Sequence, residues 1–173
     1  MPAAWAIGSP GDSATTMPTS KHYPKLVVLS IDGVPYGLVQ RMIDQGDIPN
    51  LASLISRSGL RKMRSVQPTV SCVAWSTYMT GSNPGKHGIY GFIDRKEGAY
   101  ECIFPNASNR TAEDLWSIMS RAKKRVFGMN VPTTYPPAPV NGIMIGCFLS
   151  PSLEKVAYPA GLAEYLRSID YRM

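Results

Sequence analysis

Paired cysteines are missing from this sequence: Cys72, Cys102 and Cys147 are odd in number, far apart, and in no CxxC spacing. Neither a zinc ribbon nor a disulfide framework is indicated, and the pattern suits a reducing, cytoplasmic setting. Long apolar runs are also missing. None approaches the ~20 residues of a membrane span, so no membrane partner is expected. Basic residues do not line up in a stripe. Arg61, Lys62 and Arg64 form one small group, and Arg121, Lys123, Lys124 and Arg125 another. The second ends a helical pattern, where cations complement the helix dipole. A net charge of +6 fits an anionic ligand, but no nucleic acid is expected as a partner. Ile31-Asp32-Gly33 is not followed by a Gly-x-Gly-x-x-Gly loop, which argues against a dinucleotide-binding domain. No internal repeat is visible.

What is present is an ordinary globular composition, 44% hydrophobic and 17% charged over 173 residues. That suffices for one domain with a buried core. Residues 1–24 differ in kind, rich in Pro, Ser, Thr, Ala and Gly. They carry neither a basic start with an apolar run nor the arginines of a transit peptide, and read as a flexible extension or a misassigned start. The domain is expected over residues 25–173.

From Lys25 the pattern is regular. LVVLSIDG (26–33) is apolar and β-branched and predicts a strand buried in a parallel sheet. Residues 35–46 predict a helix with Leu38, Val39 and Met42 on one face, stopped at Gly46. Residues 49–59 predict another, opened by Pro49 and burying Leu51, Leu54 and Ile55. An extended stretch is expected over 61–67. SCVAWSTYMTG (71–81) predicts a helix that starts at Ser71 and stops at Gly81, with Cys72, Trp75, Ser76 and Met79 on one face. A turn-rich loop over 82–92 and a strand over 99–104 come next. A helix capped by Thr111 is predicted over 111–124, then strands over 125–132 and 141–148 and a last helix over 158–169. Strands alternating with helices imply an α/β fold with a largely parallel sheet.

Two residues stand where chemistry would be done. Asp32 ends the first predicted strand, where ligands collect in open α/β sheets, and its carboxylate is a hard donor suited to a cation. Taken alone, a helix-capping or Asp-Gly turn aspartate is the stronger reading. Ser71 opens a helix after Gln67-Pro68-Thr69-Val70. There the backbone amides and the dipole favour a bound phosphate, and the hydroxyl could serve as a nucleophile. A plain N-cap serine is the other reading.

The phrases IDG, GDIPNLASLISRSG and QPTVSCVAWSTYMTGSNPGKHGIYGF together resemble the alkaline phosphatase superfamily. The likeness points to the branch of type I phosphodiesterases, nucleotide pyrophosphatases and related phosphohydrolases or phosphomutases. NVPTTYPPAPVNGIMIGCFLSP (130–151) is similar to the phosphohydrolase/phosphomutase subgroup. The resemblance covers residues 26–173. It implies a three-layer αβα fold around a mostly parallel sheet and hydrolysis of phosphate mono- or diesters on a small-molecule substrate. It further implies a phosphoserine intermediate on Ser71, within the register Pro68–Ser71–Gly81. Two divalent ions, zinc in most of the superfamily, would be held in part by Asp32 and Ser71. His87 matches a loop-supporting position rather than a ligand. Thr69 and Thr80 fit turn or cap roles, and Trp75 and Trp116 the core. No Asn follows at Tyr90-Gly91-Phe92, which departs from the nucleotide pyrophosphatases in the narrow sense.

The superfamily's remaining metal ligands come from Asp-His-Gly and Asp-x-x-x-His motifs. Asp-His-Gly is absent here, and His22 and His87 are the only histidines. The expectation is therefore an incomplete fragment, inactive by itself, that self-associates or pairs with a complementing C-terminal half. The other reading is a catalytically silent interaction module retaining the first half of the fold.

Overall fold

The computed structural model describes residues 25–172; the expected extension at 1–24 lies outside the described residues. The chain divides into two units, residues 1–33 and 34–173. In the first unit, residues 25–31 form no strand, and Leu26, Val27, Val28, Leu29 and Ile31 are exposed, Leu29 at 90%. This corrects the expected buried strand over 26–33. The composition is that of a strand, but a strand exists only when a second backbone pairs with it. Asp32 and Gly33 form an exposed turn, with Gly33 at φ 68°.

The second unit opens with two helices, α1 (Tyr36–Gln45) and α2 (Pro49–Ser58). Gly46 stops α1 at φ 78°, its amide bonding back to Ile43 O, and Pro49 opens α2. Neither helix buries a residue fully. Leu51 and Leu54 were expected inside and are exposed, while Ile55 is half-buried, as are Leu38, Val39 and Met42. The two helices pack on each other, and two amphipathic faces alone enclose no volume. Residues 61–67 are irregular.

The core begins at α3 (Ser71–Thr80). Cys72, Val73, Ser76 and Met79 are buried. Trp75, expected on that face, is half-buried and meets Tyr78 edge to face at 5.7 Å. Gly81, at φ 61°, ends the helix with its amide on Thr77 O. The short α4 (Pro84–His87) follows, capped by Asn83 Oδ1 accepting from Lys86 N–H at 3.1 Å. The strand expected over 99–104 shrinks to β2 (Cys102–Ile103), paired antiparallel with β1 (Asp94–Arg95).

Helix α5 (Leu115–Arg121) starts later than Thr111 because Asp114 is its cap, accepting from Ser117 N–H at 2.8 Å. Thr111 instead donates its hydroxyl to Lys86 O at 2.6 Å. Strands β3 (Val126–Met129) and β4 (Gly142–Ile145) are parallel, and β5 (Ala157–Tyr158) adds antiparallel to β4, giving the order β3-β4-β5. Helix α6 (Leu162–Ser168) begins after Pro159 rather than at Tyr158, which belongs to β5. Leu166, Ile145, Val156 and Ala157 form its buried cluster. The architecture is mixed α/β with small sheets.

Close approach fixes two glycines. A Cβ on Gly142, at φ 149°, would lie 1.9 Å from Val126 O across the β3–β4 pair. On Gly128 it would lie 2.7 Å from Met144 Sδ and 2.9 Å from Trp116 Nε1. Backbone cannot move aside as a thioether can. Gly128→Ala is therefore expected to cost about 1–3 kcal/mol, and Gly142→Ala more, in urea unfolding.

Candidate active site

Ser71 is the first residue of α3 and is half-buried. The cap position falls to Val70, whose side chain cannot accept a hydrogen bond. The serine is therefore inside the helix rather than closing it. The first helical bond runs from Ala74 N–H to Val70 O at 2.9 Å, so the amides of Ser71 and Val73 have no acceptor within the helix. An uncapped N-terminus of this kind favours an anion through both amides and dipole.

The far end of α3 is held by the loop after it. His87 is fully buried: its Nδ1 accepts from Ile89 N–H at 3.1 Å and its Nε2 sits 3.0 Å from Thr77 Oγ1. The first bond makes Nδ1 the acceptor, so the neutral ring carries its proton on Nε2 and donates to the threonine. His87 O also accepts from Thr111 N–H at 3.1 Å. The loop-supporting role expected for His87 thus has a concrete geometry. Thr80 Oγ1 donates back to Ser76 O at 2.6 Å and accepts from Ser82 N–H at 3.3 Å.

Burial lowers the His87 pKa below the ordinary 6.5, and the Arg110 cation lowers it further. The unfolded chain therefore takes up this proton before the folded one does. The stability that His87 contributes is complete above pH 6.5 and is lost as the pH falls below that value toward the lowered folded-state pKa. Urea midpoints at pH 7.5 and 5 are expected to show the drop, and His87→Gln to shrink it.

A buried polar chain, with no periodicity to announce it, braces the middle of α3. Ser76 Oγ lies 3.0 Å from Thr133 Oγ1. Thr133 has φ 63°, a conformation that branched residues rarely adopt. Its carbonyl accepts from Arg110 Nη1 at 3.0 Å, and Arg110 Nη2 pairs with Asp114. Both ion-pair side chains are more than nine-tenths buried. Burial pulls the Arg110 pKa down, and Asp114 pushes it back up. No pattern in the sequence marks the pair, because Arg110 lies before α5 and Asp114 is its cap, outside the reach of helical i,i+4 pairing.

Beside Thr133 opens a cavity of about 320 Å³, walled by Phe92, Phe104, Tyr135, Cys147 and Leu149. Asp32 belongs to the first unit and Ser71 to the second. Among the described residues no group of three or more His, Cys, Asp or Glu side chains comes together to hold a metal ion. The described residues alone therefore do not build a two-ion centre. No helix among them is long and apolar enough to cross a membrane.

No curated protein and no solved structure matches the chain. A family model does, over residues 26–170, a span that takes in Asp32, Ser71 and the whole of the braced helix. On that match the chain belongs to the type I phosphodiesterase / nucleotide pyrophosphatase family, within the alkaline phosphatase superfamily.

Proposed function

We propose that the protein serves hydrolysis of phosphodiester or pyrophosphate bonds in a small-molecule substrate, with Ser71 as the nucleophile. The observation that carries this is the position of Ser71: first residue of an uncapped helix whose inner face is buried, within the family match. The Ser71 oxygen attacks phosphorus, its proton passes to water, and the ester oxygen leaves. Water then hydrolyses the phosphoserine. The helix-start amides bind the equatorial oxygens and offset charge that grows during attack. The braced α3, held at Ser76 and Thr77, keeps the nucleophile oriented.

The family is generally metal-dependent, and we read the chemistry as assisted by two divalent ions, zinc first among candidates. Asp32 and Ser71 would be two of the ligands. The others would come from outside the described residues. In the assembled domain the mixed sheet would be part of a three-layer αβα core. The silent interaction module remains the alternative, and the nucleophile experiment separates the two. Protein quenched in acid during turnover of an aryl phosphodiester is expected to carry a phosphoryl adduct on the peptide containing Ser71. Turnover without that adduct would place the nucleophile elsewhere.

A further inference from the structure

Every polar atom of the buried His87 is engaged inside the protein. Nδ1 accepts from Ile89 N–H and Nε2 donates to Thr77 Oγ1. The backbone N–H donates to Asn83 O at 3.0 Å, and the carbonyl accepts from Thr111 N–H. One residue thus ties α4 to the far end of α3, to the turn before α4, to the fully buried Ile89 and to the segment ahead of α5. Thr111 doubles the last tie through its hydroxyl on Lys86 O. None of these bonds reaches β3, β4 or β5.

The acceptor at Nδ1 is the weak point. A neutral imidazole takes up a proton only at its acceptor nitrogen. Once there, the proton faces the Ile89 N–H, donor against donor, and that bond is lost. The new charge also meets no free carboxylate. Helix α3 carries no Asp, Glu, Lys, Arg or His, only the thiol of Cys72 and the phenol of Tyr78, both neutral at acid pH. Helix α4 brings Lys86, and the segment before α5 brings Arg110, so both are cations. Asp114 is engaged by Arg110, and Glu113 by Arg121. A buried cation without a counter-charge is costly, whereas in water the same ring is charged freely.

We propose that His87 is a proton-operated latch: proton uptake releases residues 84–89 from α3 while the β3-β4-β5 sheet stays folded. The latch stands on these contacts and needs nothing of the phosphodiesterase reading. The released ring binds its proton with the ordinary value of 6.5, and the closed one with a lower value. The open population therefore grows as the pH falls, by at most about 30-fold between pH 7.5 and 5.

Native-state hydrogen exchange, corrected for the intrinsic pH dependence of amide exchange, reads this opening amide by amide. Protection of the Gly88 and Ile89 amides is expected to fall about 10–30-fold from pH 7.5 to 5 and to depend weakly on urea. The ladder amides of β3 and β4 are expected to depend on urea strongly, because they open only with the whole unit. His87→Asn keeps an acceptor where Nδ1 stands, and His87→Gln keeps a partner for Thr77 where Nε2 stands. Neither takes up a proton, so the pH dependence at Ile89 is expected to vanish in both, with the neutral-pH protection better kept by the asparagine. Protection at Ile89 that is flat with pH, that changes as much in a folded variant, or that shares the urea dependence of the ladder would overturn the latch. The wild-type pH and urea series decides even where a variant does not fold.

Discussion

Ser71→Ala is expected to lower kcat/KM for an aryl phosphodiester by at least about 10³-fold in any preparation that turns it over, and to abolish the covalent adduct. The substitution removes one oxygen from the first residue of α3 and leaves the fold alone: Ser71 is half-buried, and the cap position belongs to Val70. Thermal unfolding should therefore shift little. A loss of activity with unchanged stability identifies a chemical role. Wild-type turnover in the alanine variant would remove Ser71 from the mechanism. Ser71→Thr is the informative companion, because it keeps the oxygen while adding a methyl group.

The second large effect is on stability. Arg110→Ala is expected to cost about 3–5 kcal/mol in urea unfolding, because it strands a buried carboxylate and a buried carbonyl together. Asp114 and Thr133 O both lose their partner, and Thr133 in turn holds Ser76. Asp114→Asn is expected to cost less. It gives up the charge but keeps an oxygen to cap α5 through Ser117 N–H. A loss of under ~1 kcal/mol for Arg110→Ala, the level of an exposed pair, would mean that the guanidinium is better solvated than its burial implies.

Elements written in local signals were legible in the sequence. Helices α1, α2 and α3 stand where the periodic stretches, Pro49 and the stop glycines place them, because caps and left-handed stops act within one turn. Helix α5 starts three residues beyond the Thr111 signal because Thr111 and Asp114 are both good caps. The choice is made by Arg110, which pairs with Asp114, and by Lys86 O, which engages Thr111. The strands were harder to place. Residues 26–31 and 99–104 have strand composition, but pairing is non-local, and only Cys102–Ile103 forms a ladder. The candidate residues Ser71 and Asp32 stand out in the sequence through a resemblance of wording. The Ser76–Thr133 contact does not, since it joins residues 57 apart through two hydroxyls that no pattern distinguishes from surface ones.

The exposed run Leu26–Ile31 has a practical consequence at the bench. Six residues with no charge, no proline and strong β character are the composition of a cross-β seed. The charges nearest to it are Lys25 before and Asp32 after. Their position is that of gatekeepers, which would slow the stacking of one chain's run on another's by like-charge repulsion in register. Asp32 would then serve solubility as well as its proposed metal role. Neutralising it to probe metal affinity also removes half of that guard, and metal content per milligram would then fall simply because part of the sample had become fibrillar. Only the soluble, size-fractionated protein can report what the carboxylate does for the ion.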